Sequence, residues 1–277
     1  MLRLKAYAKI NLSLKIRGKR PDGFHEIESV MQSVSLCDYV TLTQISSGIQ
    51  LTTSHPRLPT DNRNLAYKAA ELFFKIQNYG IKIDIEKNIP IAAGLAGGSA
   101  DAAAVLFGLN QMAGNPLGGN ELSELGAKVG SDVPFCLVGG NCLVRGRGEK
   151  VESRKLKALP AGRQVESRNY ILIVPEVEVS TKWAYEEFDK IFADSPQLIV
   201  GNNNLEAVVV KKIPIIQEIK RMLLSLGCSY AQMSGSGPSV FGEAGDASAG
   251  EKILSQIKIK FPQSYLVNSV PKGIEVA

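Results

Sequence analysis

The chain has 277 residues, of which 44% are hydrophobic and 21% charged, and its formal net charge is +5. This length predicts about two domains, and the composition is that of a globular protein rather than a disordered one. No apolar stretch approaches the roughly 18 residues of a transmembrane helix, and the charged N-terminus lacks the apolar run of a signal peptide. We therefore expect a cytoplasmic protein with no membrane partner.

The positive charge suits an anionic small ligand. It is too dispersed for nucleic acid, which needs a basic stripe with interleaved aromatic residues. The four cysteines are scattered without a CxxC pair, and the two histidines, His25 and His55, lie far apart. Because a structural zinc site needs closely spaced ligands, we expect no metal site built by the protein.

The opening segment is the clearest predicted strand. Residues 2–16 are apolar at every even position, and Lys9 and Asn11 lie together on the opposite face. A turn at residues 21–23 then places His25 in a loop, where a histidine is usually exposed and idle. The patterns that follow predict a strand at 39–44, a helix at 62–77, a strand at 81–85, an alanine-rich helix ending at Met112 and a helix capped by Asn120.

The second half of the chain follows an internal duplication. Val151-Glu152-Ser153-Arg154 recurs at residues 165–168, which predicts an insertion in a surface loop, and we place the domain boundary after residue 155. Beyond it, the patterns predict strands at 170–175, 229–232, 239–242 and 265–270, and helices at 181–192, 204–210, 215–226 and 247–260. This order favours an α+β layer with helices on one face.

The strongest local signal is the glycine loop, which we define as residues 88–98. Gly94, Gly97 and Gly98 precede a predicted helix, whose free amides and dipole attract an anion such as phosphate. The alternative is a tight turn packed on a sheet. The loop does not fit the P-loop or GxGxxG patterns, and the absence of HRD, DFG and GxSxG segments argues against protein kinases and serine hydrolases.

Lys9 and Asp132 are candidates for a reacting pair. Phosphoryl transfer needs a group that deprotonates a hydroxyl and a cation that stabilises the developing charge. The apolar residues 133–138 predict that Asp132 is half-buried and needs a partner. The alternatives are a solvated lysine and an aspartate that only makes a turn or a helix cap.

Five segments in this order resemble the GHMP small-molecule kinases over nearly the whole chain: Ala8–Leu12, Asp22–His25, Pro90–Ala104, Gly130–Phe135 and Ser234–Pro238. The glycine loop points only to the superfamily, whereas AKINL with DGFH resembles the branch whose substrate carries a cytidine diphosphate. The resemblance implies ATP as co-substrate, Mg²⁺, and phosphorylation of a tertiary hydroxyl on an erythritol unit in the non-mevalonate isoprenoid pathway.

The resemblance also implies a fold and a site. Residues 1–155 would form a ribosomal-protein-S5-like domain and residues 156–277 a ferredoxin-like domain, with the active site in the cleft between them. Asp132 would be the general base, and Lys9 would hold its carboxylate. The implied ATP-binding residues are Asn64, Lys87, Pro90, Ala93, Gly94, Leu95, Ala96, Gly97, Gly98, Ser99 and Ala100. The implied substrate-binding residues are Asn11, Phe24, His25, Arg147 and Tyr185, with His25 against cytosine between the rings of Phe24 and Tyr185, and Arg147 near the diphosphate.

Three positions depart from the family pattern GLGGGSSDAA and from its usual tyrosine in the DGFH turn. Ala96 puts a methyl group where a positive φ would be strained, Ala100 lacks a hydroxyl, and Phe24 lacks a polar tip. Two rival interpretations remain. One is a GHMP kinase for homoserine, mevalonate or a sugar, which would not need His25 and its aromatic neighbour; the other is an RNA-associated module of the same fold. Either a monomer or a homodimer is compatible with the sequence.

Overall fold

The computed structural model describes residues 1–74, 80–154, 167–192 and 201–277. Residues 155–166 of the predicted loop insertion between Val151 and Arg168, and residues 75–77 of the predicted helix, therefore lie outside the described residues. Within the described ranges the strands are β1 Leu2–Lys19, β2 His25–Ile45, β3 Ile49–Thr53, β4 Gly80–Glu86, β5 Asn141–Gly146, β6 Lys150–Ser153, β7 Asn169–Ile173, β8 Ala231–Met233, β9 Val240–Ala244, β10 Ser264–Asn268 and β11 Ile274–Val276. The helices are α1 Leu65–Phe74, α2 Gly97–Met112, α3 Gly119–Val129, α4 Val133–Val138, α5 Thr181–Phe192, α6 Glu206–Lys212, α7 Ile215–Ser225 and α8 Ala247–Ile257.

The larger sheet has the strand order β11-β1-β2-β4-β3, and β5 and β6 extend it from β2. Its pairs are antiparallel except for β3 and β4, which run parallel. Because β11 pairs with β1, the end of the chain returns to the sheet in which the chain begins. Helices α1 to α4 cover one face of this sheet and bury Phe73, Leu122, Val133 and Phe135 with the apolar residues of α2.

The smaller sheet has the order β10-β7-β9-β8 and is antiparallel throughout. Its strands and helices follow one another as strand, helices, strand, strand, helix, strand. Ile171 and Ile173 of β7 pack against the helices, whereas Tyr170 and Leu172 face the larger sheet. The predicted layer with helices on one face is therefore confirmed, and the other face is closed by the first half of the chain.

Strand β1 passes through three apolar cores in succession, and this explains its length. Leu4 and Ala6 belong to the core of the larger sheet, Ala8 and Ile10 to the cluster between the sheets, and Leu14 and Ile16 to the core of the smaller sheet. The period of two in the sequence was the signal for this burial. The odd-numbered Lys9 and Asn11 lie where the strand crosses from the core of the larger sheet to the core of the smaller sheet.

Several local predictions were incomplete or wrong. The second strand begins at His25 rather than near Tyr39, so His25 lies on a strand and is buried instead of exposed in a loop. Asn120 lies inside α3; Gly118 is the N-cap, and its amide donates to the Glu121 carboxylate at 2.8 Å. Strands β3, β5, β6 and β11 were not predicted, because they are short and because β5 and β6 lack a clear apolar alternation.

Candidate active site

A cavity of about 1000 Å³ lies between the two sheets, and it is where the predicted site residues meet. Its walls include every one of them except Ala100. The side chain of Ala100 is buried in the core beneath α2, and its amide donates to the Ala96 carbonyl at 2.9 Å, so both are unavailable to a ligand. The cavity has two ends, which we call the loop end, around the glycine loop with Lys9 and Asp132, and the histidine end, around His25, Tyr185 and Asp189.

Backbone groups form the wall of the loop end. Helix α2 begins at Gly97 and has no side-chain cap, so the amides of its first turn are left for a ligand. Gly94 has a φ of +74°, and a Cβ there would lie 2.5 Å from the carbonyl oxygen of Ser234. Ala96 has a φ of 57°, so it adopts the left-handed conformation that is strained for a residue with a Cβ atom. This geometry suits a bound phosphate, because small residues keep the cradle open.

The Lys9 ammonium lies deep in the loop end, with only 5% of its side chain exposed. It donates to the side-chain oxygen of Asn11 at 2.7 Å and to the Gly94 carbonyl at 3.0 Å. It also lies 3.7 Å from Oδ2 of Asp132, whose side chain is 31% exposed. Asp132 precedes α4 without capping it through its side chain, so the carboxylate is free to face a substrate.

The serine–glycine turn at residues 234–238 holds this arrangement from the side of the smaller sheet. The Ser234 hydroxyl accepts from the Asn11 amide at 3.2 Å and donates to the Gly94 carbonyl at 3.1 Å. Asn203 donates to the carbonyls of Met233 and Gly235 at 2.9 and 2.7 Å. Sequence reasoning gave the turn no such role and missed Asn203, because these contacts join residues far apart in the chain.

Lys87 was implied as an ATP ligand, and the structure places its ammonium in a buried charge cluster behind the glycine loop. It donates to Asp38 and, at 3.0 Å, to Asp101. Asp38 also accepts the amides of Asn88 and Ile89 at 2.6 and 2.8 Å, which fixes the start of the loop. Burial would lower the pKa of Lys87, but the charges of Asp101 and Asp38 outweigh it and raise that pKa. Burial raises the pKa of Asp101, whose Oδ1 has no hydrogen-bond partner.

Asn64 lies in the wall beside the glycine loop and is only 8% exposed. Its side-chain oxygen accepts the Ala66 amide at 2.9 Å, and its side-chain nitrogen donates to the Pro59 carbonyl at 2.9 Å. It therefore caps α1 and joins the preceding loop to it. Its contact with a nucleotide stays a prediction.

At the histidine end, the imidazole of His25 stacks on Tyr185, with ring centroids 4.7 Å apart and an interplanar angle of 27°. Its Nε2 lies 2.6 Å from Oδ1 of Asp189, and the Lys19 ammonium lies 2.6 Å from the other oxygen of that carboxylate. Burial would raise the pKa of Asp189, but hydrogen bonds from Lys19 and His25 outweigh it and hold that pKa below its usual value. Sequence reasoning missed Asp189, which lies on α5 at the same face as Tyr185, one helical turn further on.

Phe24 does not take part in this stack. Its ring is 48% exposed and lies under the Arg147 guanidinium, 5.1 Å from the charge centre. Arg147 is held there by donating to the Ala127 carbonyl at 2.9 Å. His25 on Tyr185 and Arg147 on Phe24 together flank the mouth of the histidine end, and the placing of cytosine between the rings of Phe24 and Tyr185 stays a prediction.

Chemically, the loop end can receive a polyphosphate on main-chain amides and bring a hydroxyl to Asp132 beside a buried ammonium. Within the described ranges, no group of three or more acidic, histidine or cysteine side chains is placed to hold a metal ion. In the same residues, no helix combines the length and the apolar character that a membrane span requires.

Two family models match the chain on either side of the cavity. Residues 64–140 match the GHMP kinases N terminal domain, and residues 184–263 match the GHMP kinases C terminal domain. Together they cover more than half of the chain and include the glycine loop, Asp132 and Tyr185. The chain belongs to the GHMP kinase family, whose members are small-molecule kinases with ATP as co-substrate.

Individual relatives show which enzyme of the family the chain is similar to. A 4-diphosphocytidyl-2-C-methyl-D-erythritol kinase of Caldicellulosiruptor saccharolyticus is 45% identical over 96% of both chains. The enzyme of the same name from Clostridium botulinum is 42% identical over 96% of this chain and 99% of its own. A crystal structure of 4-(cytidine 5'-diphospho)-2C-methyl-D-erythritol kinase superposes with a TM-score of 0.79 at 29% identity, covering 96% of this chain and 98% of the other.

Proposed function

We propose that this chain transfers the γ-phosphoryl group of ATP to the tertiary hydroxyl of 4-diphosphocytidyl-2-C-methyl-D-erythritol in the non-mevalonate isoprenoid pathway. The observation that carries the proposal is the meeting of Lys9, Asp132 and the glycine loop in one cavity whose far end presents His25 on an aromatic ring. The names of the full-length relatives support the choice of substrate.

In this proposal, the polyphosphate of ATP lies on the amides at the start of α2, and Mg²⁺ is carried by its phosphates. Asp132 accepts the proton of the attacking hydroxyl as the hydroxyl oxygen bonds to the γ-phosphorus, while the bond from that phosphorus to the β-phosphate oxygen breaks and ADP leaves. Lys9, held by Asn11 and the Gly94 carbonyl, keeps the carboxylate in place and stabilises the negative charge that develops on the transferred group. Catalysis is then chiefly positioning and charge stabilisation, as is usual for phosphoryl transfer.

We also propose that the larger sheet with α1 to α4 is the ribosomal-protein-S5-like domain, residues 1–155, and that residues 156–277 form the ferredoxin-like domain. The strand order β10-β7-β9-β8 with its strand–helix–strand–strand–helix–strand sequence supports the second assignment. Strand β11 is the exception to a simple division, since it pairs with β1. The cytoplasmic location, the oligomeric state and the absence of a nucleic-acid partner stay predictions.

The test is a coupled ADP-release assay with the cytidyl-diphospho substrate compared with homoserine, mevalonate and galactose, each with ATP and Mg²⁺. We expect turnover with the first substrate only. Turnover with one of the other three and none with the first would assign the chain to another GHMP activity and refute the proposal.

A further inference from the structure

We propose that Asn203 is a positioning residue, whose side-chain amide holds the serine–glycine turn so that Gly235 closes over the Lys9 ammonium. This inference rests on the proposed function, because it names a residue that fixes the cation of that chemistry. Asn203 is only 3% exposed and is not part of the cavity wall, so it acts through the turn rather than by touching a ligand.

The turn follows an edge strand whose outward backbone groups need partners. Strand β8 lies at the edge of the smaller sheet and pairs with β9. At its end, the Met233 amide donates to the Glu206 carboxylate at 2.7 Å, and the Met233 carbonyl accepts from Asn203 at 2.9 Å. The two side chains therefore take the place that a further strand would occupy, and they fix the point at which the turn begins.

The second hydrogen bond from Asn203 reaches into the turn itself. Its side-chain nitrogen donates to the Gly235 carbonyl at 2.7 Å. A Cβ built on Gly235 would lie 3.4 Å from Nζ of Lys9 and 3.2 Å from the side-chain oxygen of Asn11. The backbone at Gly235 therefore covers the ammonium from the side of the smaller sheet, and the hydrogen bond from Asn203 keeps this cover in place.

Asn203 is itself anchored to the strand that carries Lys9. Residues 202–204 run parallel to β1 and make two backbone hydrogen bonds, of 2.7 and 2.8 Å, with Leu14. The side-chain oxygen of Asn203 accepts from the Leu205 amide at 3.0 Å. Since its oxygen is engaged at the start of α6, its nitrogen is the atom that reaches the turn, and one side chain joins β1, α6 and the turn.

The position of Lys9 depends on this cover. Its ammonium lies 3.7 Å from Asp132, and without a fixed turn it has room to move away from that carboxylate. A displacement of about 1 Å in a reacting group can lower a rate by roughly 10²-fold. In the proposed function, the polyphosphate lies on amides of α2 and the nucleobase at the histidine end. Loss of the cover should therefore slow the chemical step more than it weakens either binding event.

The test compares Asn203→Asp with Asn204→Asp, a matched control at a neighbouring position that is also 3% exposed. An aspartate carboxylate has no hydrogen to donate, so Asn203→Asp removes both hydrogen bonds to the turn and keeps an oxygen that can accept from Leu205. The Asn204 side chain instead accepts the Ile16 amide through its oxygen at 2.8 Å, and aspartate can keep that contact. Both variants introduce the same charge, and they differ in the donors that are lost.

In the ADP-release assay, we expect Asn203→Asp to lower kcat by roughly 10- to 100-fold, with the KM values of both substrates within about threefold of the wild type. Asn203→Ala removes the donors without adding a charge and should act in the same direction. The control should keep kcat within about threefold. Equal losses of kcat in Asn203→Asp and the control, or a higher KM without a lower kcat, would overturn the proposal.

A second readout needs no substrate. In ¹⁵N-lysine-labelled protein, a buried and hydrogen-bonded ammonium exchanges slowly with water, and the side chains of Lys9 and Lys87 are only 5% and 3% exposed. Asn203→Asp should remove the protected signal of Lys9, assigned by its absence in Lys9→Met, and leave that of Lys87. An unchanged Lys9 signal, or a wild type without one, would refute the inference. A chain that loses this signal selectively but phosphorylates none of the assayed alcohols would retain the role of Asn203 and lose the proposed function.

Discussion

The two ends of the cavity are built in opposite ways. At the loop end the ligand-facing groups are mostly backbone amides and carbonyls, tied down by Lys9, Asn11 and Ser234, and nearly everything behind them is buried. At the histidine end the ligand-facing groups are side chains, supplied by the β1–β2 hairpin and by α5, and Phe24 is half exposed. The ligand contacts of a site made of backbone groups change only when the backbone conformation changes, whereas those of a site made of side chains change with a single substitution. We therefore expect changes at the loop end to lower the rate of the reaction, and changes at the histidine end to weaken the binding and selection of the substrate.

The largest effect is expected from Asp132→Asn. The amide cannot accept the hydroxyl proton, so kcat should fall by roughly 10²–10⁴-fold while ATP affinity changes little. The measurement is steady-state turnover together with nucleotide binding by calorimetry. Asp84→Asn is the control, because Asp84 lies on β4 and pairs with Lys82 away from the cavity, and its rate should stay within about twofold of the wild type. A near-normal rate for Asp132→Asn would contradict its role as base.

Gly94→Ala should disrupt the loop end through the backbone. The added Cβ would lie 2.5 Å from the Ser234 carbonyl, and the φ of +74° is strained for alanine, so the free energy of unfolding should fall by about 3 kcal/mol. Denaturant unfolding measures this change. Gly98→Ala is the matched control in the same segment. Its Cβ would meet only Leu65 at 3.8 Å inside a helix, where alanine is favoured, so the stability should be unchanged or slightly higher. Equal destabilisation by both variants would show that the clash at Gly94 is not the cause.

His25→Ala should separate the two ends kinetically. Loss of the ring would remove the proposed contact with the base and leave the glycine loop intact, so the KM for the cytidyl substrate should rise by roughly 10- to 30-fold with little change in the KM for ATP. Initial-rate measurements with each substrate varied in turn provide the test. A comparable rise in both KM values would mean that His25 supports the whole cavity rather than the histidine end.

Much of the loop end could be predicted from the sequence, because its signals are local. The alternation of β1 placed Lys9 and Asn11 on one face, and the glycines of residues 94–98 marked the cradle within one short segment. The contacts that support them are not local. The hydrogen bond from Lys87 to Asp38 and the one from Ser234 to Gly94 join residues that are far apart in the sequence. The apolar periodicity of a strand or a helix does not indicate such contacts.

The histidine end was predicted only in part for the same reason. His25 and Tyr185 came from the resemblance, but Asp189 carries no motif, and its role depends on how α5 packs against the end of β1. The prediction of an exposed loop at His25 is wrong because the tight turn at residues 21–23 joins two long paired strands, and β2 begins at His25 itself. The contact between Phe24 and Arg147 was not predicted, since nothing in the sequence places Arg147 over that ring.

The smallest expected effect concerns Ala96, where the glycine loop departs from the family pattern. Ala96 has a φ of 57°, a conformation that costs a residue with a Cβ about 1 kcal/mol more than glycine. Ala96→Gly should therefore raise the free energy of unfolding by less than about 0.5 kcal/mol, because the entropy cost of glycine and the loss of a partly buried methyl group offset most of the gain. Ala102→Gly, in the buried interior of α2, should have the opposite sign, because glycine there loses helix propensity and a core contact. The comparison is made by chemical denaturation of both variants. A loss of stability in both would mean that the methyl group of Ala96 contributes more through packing than its backbone conformation costs, and that the loop end has adapted to alanine at this position.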